Sequence, residues 1–402
     1  MRFSQRWIPF VYIIISFIVN LAWFREGEIL AGAELGFVFY DYTKLLHWSR
    51  YLWQDHFHVG HTNPSLIFYL PLSYMGSLLQ SCGLSSFSIQ RLLYFLLFAI
   101  NGIGMYFLVL YFLKDRKEAL LCAFIAGLFY MFNAFSMISV WNRFILNNIL
   151  ASSFLPLALL FYARLLHEGK VLYIYLQLLL FVIFTYIFAY PSNNLIILFL
   201  FGSYFIFFIF DNRNEKKKCF RASLNSFFLV VVLIIGNLWW LMHFYKSIGN
   251  YAQRVTTENN IISLKGVSQC FTLPAVIQGV NLSVINNPDY WGNIYTTVFF
   301  NFLGFIPLLI IIMTIYIKFK DRIVCFFGLL TLIILFVMKG TNPPFGGFLI
   351  WLFEQSLIFQ VFRNPSEKFG LLWPLSYSFL IGYGLGFFYY WMKKKMWRLR
   401  HF

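Results

Sequence analysis

The feature that most constrains this chain is a series of apolar runs, of about 18 residues or more each, that recurs along its length. Each run is long enough to cross the hydrocarbon core of a bilayer as a helix. The chain has 402 residues, of which 60% are hydrophobic and only 11% are charged. Its length alone would predict two or three soluble domains, but this composition predicts a membrane protein instead. Lipid offers no partner for backbone polar groups, and the runs lack strand alternation. The sequence therefore predicts an all-α, polytopic transmembrane helical bundle.

The apolar runs predict about ten membrane spans within a single transmembrane domain, 1–402. These spans are 7–24, 90–113, 119–138, 148–166, 171–189, 193–210, 223–245, 294–317, 323–338 and 369–391. No small-residue cleavage site follows the first run, so we expect it to be a retained signal anchor.

The distribution of Lys and Arg orients these spans. With the N-terminus inside, the inner segments hold 20 of the 31 basic residues, as the positive-inside rule requires. We therefore expect a multi-pass protein of the plasma membrane with both termini cytoplasmic. The net charge of +16 is then a feature of topology and does not indicate nucleic-acid binding.

Two further apolar segments test this count, namely 64–80 and 345–362. If only one of them crossed the membrane, basic loops or the basic C-terminal segment would face outward, against the orientation set by the others. We therefore predict that both are helices that lie in the outer interface or re-enter the membrane. The outer face then carries three large loops, 25–89, 246–293 and 339–368. The inner loops are short and leave no room for a nucleotide-binding domain, so the site is expected outside.

The first outer loop supplies the candidate catalytic carboxylates. The stretch from Arg25 to Asn63 holds five of the fifteen acidic residues of the chain. Glu34 and Asp41 lie among apolar and aromatic residues, where desolvation would raise the pKa of a carboxyl group and make it a better general base. The alternative interpretation is a pair of solvated surface acids.

The same loop contains a dense group of potential metal ligands: Asp55, His56, His58 and His61. Carboxylate and imidazole groups at this density are able to bind a divalent metal. Nearby His and Trp residues equally fit a surface that contacts lipid headgroups. No cofactor is certain from the sequence, and a divalent metal stays open.

Basic residues are few on the outer face, so each is a candidate for binding substrate. Arg holds a phosphate bidentately and stabilises charge that develops on it. The alternative role is an interfacial anchor whose charged end reaches the headgroups. The substrate- or phosphate-binding candidates are Asn142, Arg143, Arg254, Arg363 and Lys368, together with His58 of the first loop.

The sequence disfavours a nucleotide-binding protein and an ion-coupled transporter. The glycines at 102 and 104 and at 382, 384 and 386 fall inside spans, where small residues usually permit close helix packing and do not cradle phosphates. No acidic residue falls inside a predicted span, although ion-coupled transporters commonly place one there. The five cysteines form no disulfide or zinc motif.

Three stretches carry a resemblance to a known family: Ala33 to Asp41, Ser86 to Leu97 and Lys339 to Phe369. With the first span and the Pro-containing segment 64–80, they resemble the GT-C fold of polyprenyl-phosphate-dependent glycosyltransferases. The chain is similar to the arabinofuranosyltransferase-like and YfhO-like multi-span proteins. Their first-loop motif is typically Gly-Asp-x-Gly-x-Pro-Phe. Here Ala33 stands in place of Gly, Glu34 in place of Asp and Val38 in place of Pro.

The resemblance implies an integral membrane glycosyltransferase. Such an enzyme moves a sugar from a polyprenyl-phosphate carrier to a glycan or lipid acceptor at the outer face, with membrane lipid and no nucleic acid as partner. Glu34 or Asp41 would deprotonate the acceptor, and Arg143 and Arg363 would stabilise the leaving phosphate. The loop 246–293 and the two interfacial segments would roof the cavity that holds these four residues. The alternative is a non-catalytic binder, flippase or export component for lipid-linked glycans.

Overall fold

A computed structural model describes residues 7–30, 40–51, 53–54, 61–62, 64–252, 257–285 and 297–399, and over these ranges the chain is almost entirely helical. The α-helices are α1 (Ile8–Trp23), α2 (Tyr42–Ser49), α3 (Leu70–Ser81), α4 (Ser86–Phe112), α5 (Ala119–Phe132), α6 (Leu146–Glu168), α7 (Leu172–Ile183), α8 (Pro191–Asp211), α9 (Lys216–Ala252), α10 (Thr257–Ser268), α11 (Leu273–Gln278), α12 (Leu282–Ile285), α13 (Val298–Lys318), α14 (Arg322–Met338), α15 (Gly346–Gln355), α16 (Leu357–Gln360), α17 (Pro365–Gly370) and α18 (Trp373–Leu399). The two-residue strands β1 (Trp53–Gln54) and β2 (His61–Thr62) pair antiparallel, with Trp53 opposite Thr62. The predicted all-helical class is confirmed.

Six helical stretches among the described residues are long and apolar enough to cross a membrane: Ser86–Phe112, Leu146–Glu168, Pro191–Asp211, Lys216–His243, Val298–Lys318 and Pro365–Met396. Four shorter apolar helices are Ile8–Trp23, Ala119–Phe132, Leu172–Ile183 and Arg322–Met338. Each of these ten stretches overlaps one of the ten runs predicted from the sequence. The protein is therefore a helical membrane protein, while the number of helices that cross the bilayer stays a prediction.

Two of the short helices are continued by other helical geometry. α5 is followed by a π-helical segment, Ser136–Trp141, and α7 by a 3₁₀ segment, Thr185–Ala189. α5 ends at Phe132 and Asn133 is its C-cap. The Asn133 side-chain amide donates to the carbonyl of Phe129 at 2.9 Å, and its Oδ1 accepts from the backbone N–H of Ser136 at 2.8 Å. This local pairing satisfies backbone groups that the helix end leaves open. The helical path from 119 to 141 is consequently much longer than α5 alone.

The chain folds as two compact units. Unit 1 comprises 1–14, 99–143 and 257–402, and unit 2 comprises 15–98 and 144–256. Both divisions of the N-terminal part fall inside helices, at 14/15 in α1 and at 98/99 in α4. Each of these helices therefore contributes residues to both units. The prediction of a single domain stays a prediction.

The core of unit 1 is the packing of α18 against α5, α13 and α14. Glycines make the close approach possible: a Cβ at Gly382 would lie 2.5 Å from the carbonyl oxygen of Cys122 in α5. A Cβ at Gly102 of α4 would lie 2.7 Å from the ring of Tyr12, which donates a hydrogen bond to the carbonyl of Phe124 at 2.9 Å. The prediction that these glycines serve helix packing is confirmed at Gly102 and Gly382.

Loops that the charge pattern assigns to one side contact each other within unit 1. Among the predicted inner loops, the Arg116 guanidinium donates to Asp321 Oδ2 at 2.8 Å. Among the predicted outer loops, the Asn260 side-chain amide donates to Gln360 Oε1 at 2.9 Å. In both cases the joined residues are 100 or more positions apart in the chain.

Unit 2 shows the same grouping around a core in which α6 packs against α7, α8 and α9. Between predicted inner loops, Arg221 donates to the carbonyl of Glu168 at 3.1 Å. At the predicted outer side, Asn193 begins the predicted span 193–210, and its side-chain amide donates to Asn147 Oδ1 of an outer loop at 3.1 Å; both asparagines are buried.

The segment 64–80 is helical throughout, as a 3₁₀ segment, Pro64–Tyr69, that continues into α3. Its first part packs on the predicted outer end of unit 2, where the rings of Tyr69 and Tyr186 lie 4.1 Å apart. At its other end, Gln80 Oε1 accepts from the backbone N–H of Thr43 at 3.3 Å. The segment 345–362 forms two helices, α15 and α16, because Ser356 adopts an extended conformation between them. Whether either segment lies in the outer interface stays a prediction.

Candidate functional site

An ion pair between Arg143 and Glu367 is the centre of the candidate site, in unit 1. The two residues are 224 positions apart, and their side chains are 33% and 17% exposed. The pair joins the polar turn at 141–143 to the motif at 363–369, two of the stretches that the sequence assigns to substrate binding. Because the pair is only partly buried, both charged side chains keep some access to solvent.

The turn that carries Arg143 is fixed by the end of the π-helical segment. Trp141 is 1% exposed, and the backbone N–H of Asn142 donates to the carbonyl of Met137 at 2.9 Å. Asn142 itself is half-buried. The buried Trp141 and the hydrogen-bonded backbone N–H of Asn142 therefore hold the backbone that carries Arg143 in place.

Glu367 is positioned by the N-terminus of α17. Asn364 is the N-cap of this helix, and its Oδ1 accepts from the backbone N–H of Glu367 at 3.3 Å and from the hydroxyl of Ser366 at 3.1 Å. Pro365 occupies the first turn, where its fixed φ suits a helix. A carboxylate is favoured in the first turn, close to the positive end of the helix dipole.

Glu367 is not among the site residues that the sequence predicts. The sequence pattern that involves Glu367 is its spacing from Asn364, which is that of a capping box and predicts the start of a helix. Nothing in that spacing points to Arg143, because the partner is distant in the chain.

The charge around this pair is positive. Arg363 is exposed, and Lys368 is half-buried in the last turn of α17. Three cationic side chains therefore accompany one carboxylate on these two short stretches. Such an excess favours the binding of an anion.

Lys339 lies at the start of the third outer loop and is 2% exposed. Its Nζ donates to the carbonyl of Asn342 at 2.6 Å and lies 4.8 Å from the ring centre of Phe336. Burial lowers the pKa of the Lys339 ammonium group, because desolvation disfavours its charged form. The Asn342 side-chain amide in turn donates to the carbonyl of Phe271 at 3.0 Å, which fixes this loop to the second outer loop.

Asp41 serves as the N-cap of α2 in unit 2. Its Oδ1 accepts from the backbone N–H of Lys44 at 3.0 Å, and its Oδ2 lies 4.0 Å from Lys44 Nζ. The side chain is 37% exposed. This accessible capping position differs from the desolvated setting that the sequence suggested.

Several predicted site residues lie outside the described residues: Glu34, Asp55, His56, His58 and Arg254. His61 begins β2, and its side chain is also outside the description. Over the ranges that the structure does describe, no group of three or more His, Cys, Asp and Glu side chains is arranged to hold a metal ion. The metal site in the first loop therefore stays a prediction.

Comparison with known proteins adds no relative: the chain matches no family model, no curated protein and no solved structure.

Proposed function

We propose that this protein is an integral membrane glycosyltransferase that moves a sugar from a polyprenyl-phosphate carrier to a glycan or lipid acceptor at the outer face of the plasma membrane. The observation that carries the proposal is the ion pair of Arg143 and Glu367, because the stretch that holds Glu367 also holds the basic residues Arg363 and Lys368. The GT-C resemblance of the sequence supports the same function. A phosphate-bearing lipid supplies the anion that such a site favours.

The topology that we propose has ten spans, cytoplasmic termini and interfacial segments at 64–80 and 345–362. It is supported by contacts that join predicted inner loops to each other in both units and predicted outer loops to each other in unit 1. In this topology the site of Arg143 is on the outer face.

The proposed reaction is a single displacement at the anomeric carbon. Glu34 or Asp41 takes the proton from an acceptor hydroxyl, the hydroxyl oxygen bonds to the anomeric carbon, and the bond from that carbon to the phosphate oxygen breaks. Arg143 and Arg363 stabilise the phosphate of the departing lipid as negative charge develops on it. Glu367 holds the Arg143 guanidinium until the phosphate engages it.

Transfer of a labelled sugar from a polyprenyl-phosphate donor by the purified full-length protein tests this function. If Arg143 binds the leaving phosphate, Arg143→Gln should lower the rate about 10²-fold or more. Arg143→Lys keeps the charge without the fork geometry and should be intermediate. Glu34→Gln should lower the rate by about 10²-fold or more if Glu34 is the base.

Arg50→Gln is the matched control, because Arg50 is an exposed basic residue of the first outer loop that has no place in this mechanism. It should leave the rate unchanged. Transfer at the wild-type rate by Arg143→Gln, in protein that unfolds at the wild-type temperature, would remove Arg143 from the site.

The second candidate is a binder, flippase or export component that holds the lipid-linked sugar without transferring it. The ion pair supports this function equally, since an anion-binding site serves both. Binding of the labelled donor that is lost in Arg143→Gln, with no turnover by the wild-type protein, would favour this alternative.

A further inference from the structure

The last part of α18 extends beyond the packed body of unit 1. Tyr377, Leu380 and Tyr383 are fully buried in the first half of the helix. By contrast, every residue from 388 to 396 is exposed, over more than two turns of the same helix. This part of α18 is therefore largely exposed, in contrast to the first half of the helix.

The exposed part has an ordered sequence along the helix axis. Four aromatic residues, 388–391, are followed by Lys393, Lys394 and Lys395. At a rise of about 1.5 Å per residue, the lysines begin only about 3 Å beyond Trp391. Successive residues turn by about 100°, so the three ammonium groups point around most of the helix. Aromatic residues followed by basic ones are typical of the boundary between hydrocarbon and headgroups.

The Trp391 ring centre and the Lys395 Nζ lie 5.5 Å apart, so this lysine is close to the aromatic residues that precede it. The surrounding end of unit 1 is also basic. The loops at 114–118 and 318–322 contribute the basic residues Lys114, Arg116, Lys117, Lys318, Lys320 and Arg322 and the acidic residues Asp115, Glu118 and Asp321. Asp321 is engaged by Arg116 and Tyr383. We call this region, with Lys393–Lys395, the basic end of unit 1.

We propose that the basic end of unit 1 binds anionic phospholipid headgroups, with Lys393, Lys394 and Lys395 as its main contacts. Charge complementarity is one reason, because basic residues beside a membrane attract anionic lipids and their contributions accumulate. The adjoining aromatic residues are the second reason, since they place the lysines at headgroup depth. An RNA phosphate backbone shares the charge but does not account for the aromatic residues beside the lysines. The proposal goes beyond the transfer reaction and does not depend on it.

The test is thermal unfolding of the purified full-length protein in detergent, titrated with phosphatidylglycerol or with phosphatidylcholine. We expect phosphatidylglycerol to raise the unfolding temperature more than phosphatidylcholine does, and high salt to reduce the difference. The triple variant K393Q/K394Q/K395Q should weaken the apparent affinity for phosphatidylglycerol about tenfold or more. The variant K393R/K394R/K395R keeps the charges and should retain it.

The matched control is K44Q/R50Q/K265Q, which removes three exposed basic residues from loops predicted on the opposite face. It should respond to phosphatidylglycerol as the wild type does. Equal stabilisation by the two lipids, or an equal loss in the control, would overturn the proposal, and so would a lysine-dependent shift with an RNA oligonucleotide but none with phosphatidylglycerol. The comparison of the two lipids on the wild-type protein decides the matter even if a variant fails to fold.

Discussion

Arg116 and Asp321 are joined by a hydrogen-bonded ion pair of 2.8 Å, although 205 positions separate them in the chain. The same carboxylate oxygen accepts from the Tyr383 hydroxyl at 3.0 Å. One oxygen thus connects the loop after α4, the loop after α13 and the helix α18. A carboxylate shared by three segments fixes their relative position more firmly than any of the three contacts alone.

Replacing Asp321 should destabilise unit 1. Asp321→Ala leaves the Arg116 guanidinium and the Tyr383 hydroxyl without their acceptor, which should cost about 1–3 kcal/mol. Arg116 is 47% exposed, so the coupling between Arg116 and Asp321 alone should be only about 0.5–1 kcal/mol. A double-mutant cycle with Arg116→Gln and Tyr383→Phe, read by unfolding of the purified protein, measures both quantities. Zero coupling with both partners would contradict this assignment.

Gly382→Ala should weaken the packing of α18 on α5. The added Cβ would meet the Cys122 carbonyl oxygen at 2.5 Å and the Ala126 Cβ at 2.6 Å, and overpacking of this kind costs about 1–3 kcal/mol. Gly202→Ala in α8 is the control, because a Cβ there meets nothing within 4 Å. That control should be neutral or stabilising by up to about 1 kcal/mol through helix propensity. Equal effects of the two substitutions on the unfolding temperature would exclude steric contact as the cause.

Lys339 should make stability rise with pH in the alkaline range. Burial lowers the pKa of Lys339 in the folded protein below its ordinary value of 10.5, so between these two values the unfolded chain binds more protons than the folded one. Stability then increases as pH rises through this window and levels off above the unfolded pKa. In Lys339→Met this increment should be absent. The unfolding temperature of both proteins, measured from pH 7 upward, tests it, with the exposed Lys265→Met expected to follow the wild type.

Labelling of introduced cysteines from outside intact cells tests the proposed topology. Lys217→Cys and Lys265→Cys both place the thiol at an exposed position, in a background where the five native cysteines are replaced. An impermeant reagent should label position 265 and leave position 217 unlabelled until the membrane is permeabilised. Labelling of 217 in intact cells would reverse the proposed sides and move Arg143 to the inner face.

The positions of the apolar helices were predictable from the sequence, because membrane-spanning length and low charge leave few alternatives for a run such as 298–318. The grouping of loops was also predictable, since Lys and Arg mark one side. The contact of Arg116 with Asp321 agrees with that grouping.

The details of the candidate site were less accessible to sequence reasoning. The partner of Arg143 depends on tertiary packing of segments more than two hundred residues apart, and no local pattern encodes it. The π-helical segment at 136–141 follows Asn133, whose side-chain hydrogen bonds resemble those of an ordinary helix end, so the sequence does not distinguish the two. Asp41 illustrates the opposite error, since apolar neighbours in sequence suggested enclosure while the residue caps a helix at an accessible position.

The interleaved order of the two units has a consequence for biosynthesis. α5 ends at Phe132, but its main partner α18 begins at Trp373, so a ribosome adding about 5–20 residues per second needs roughly 12–50 s to complete the pair. During that interval Cys122 and Ala126 lack the glycines that cover them in the finished protein. Ribosome pausing or loss of an insertion chaperone would lengthen this exposure, and nascent chains arrested before α18 should be the form most readily degraded by membrane proteases.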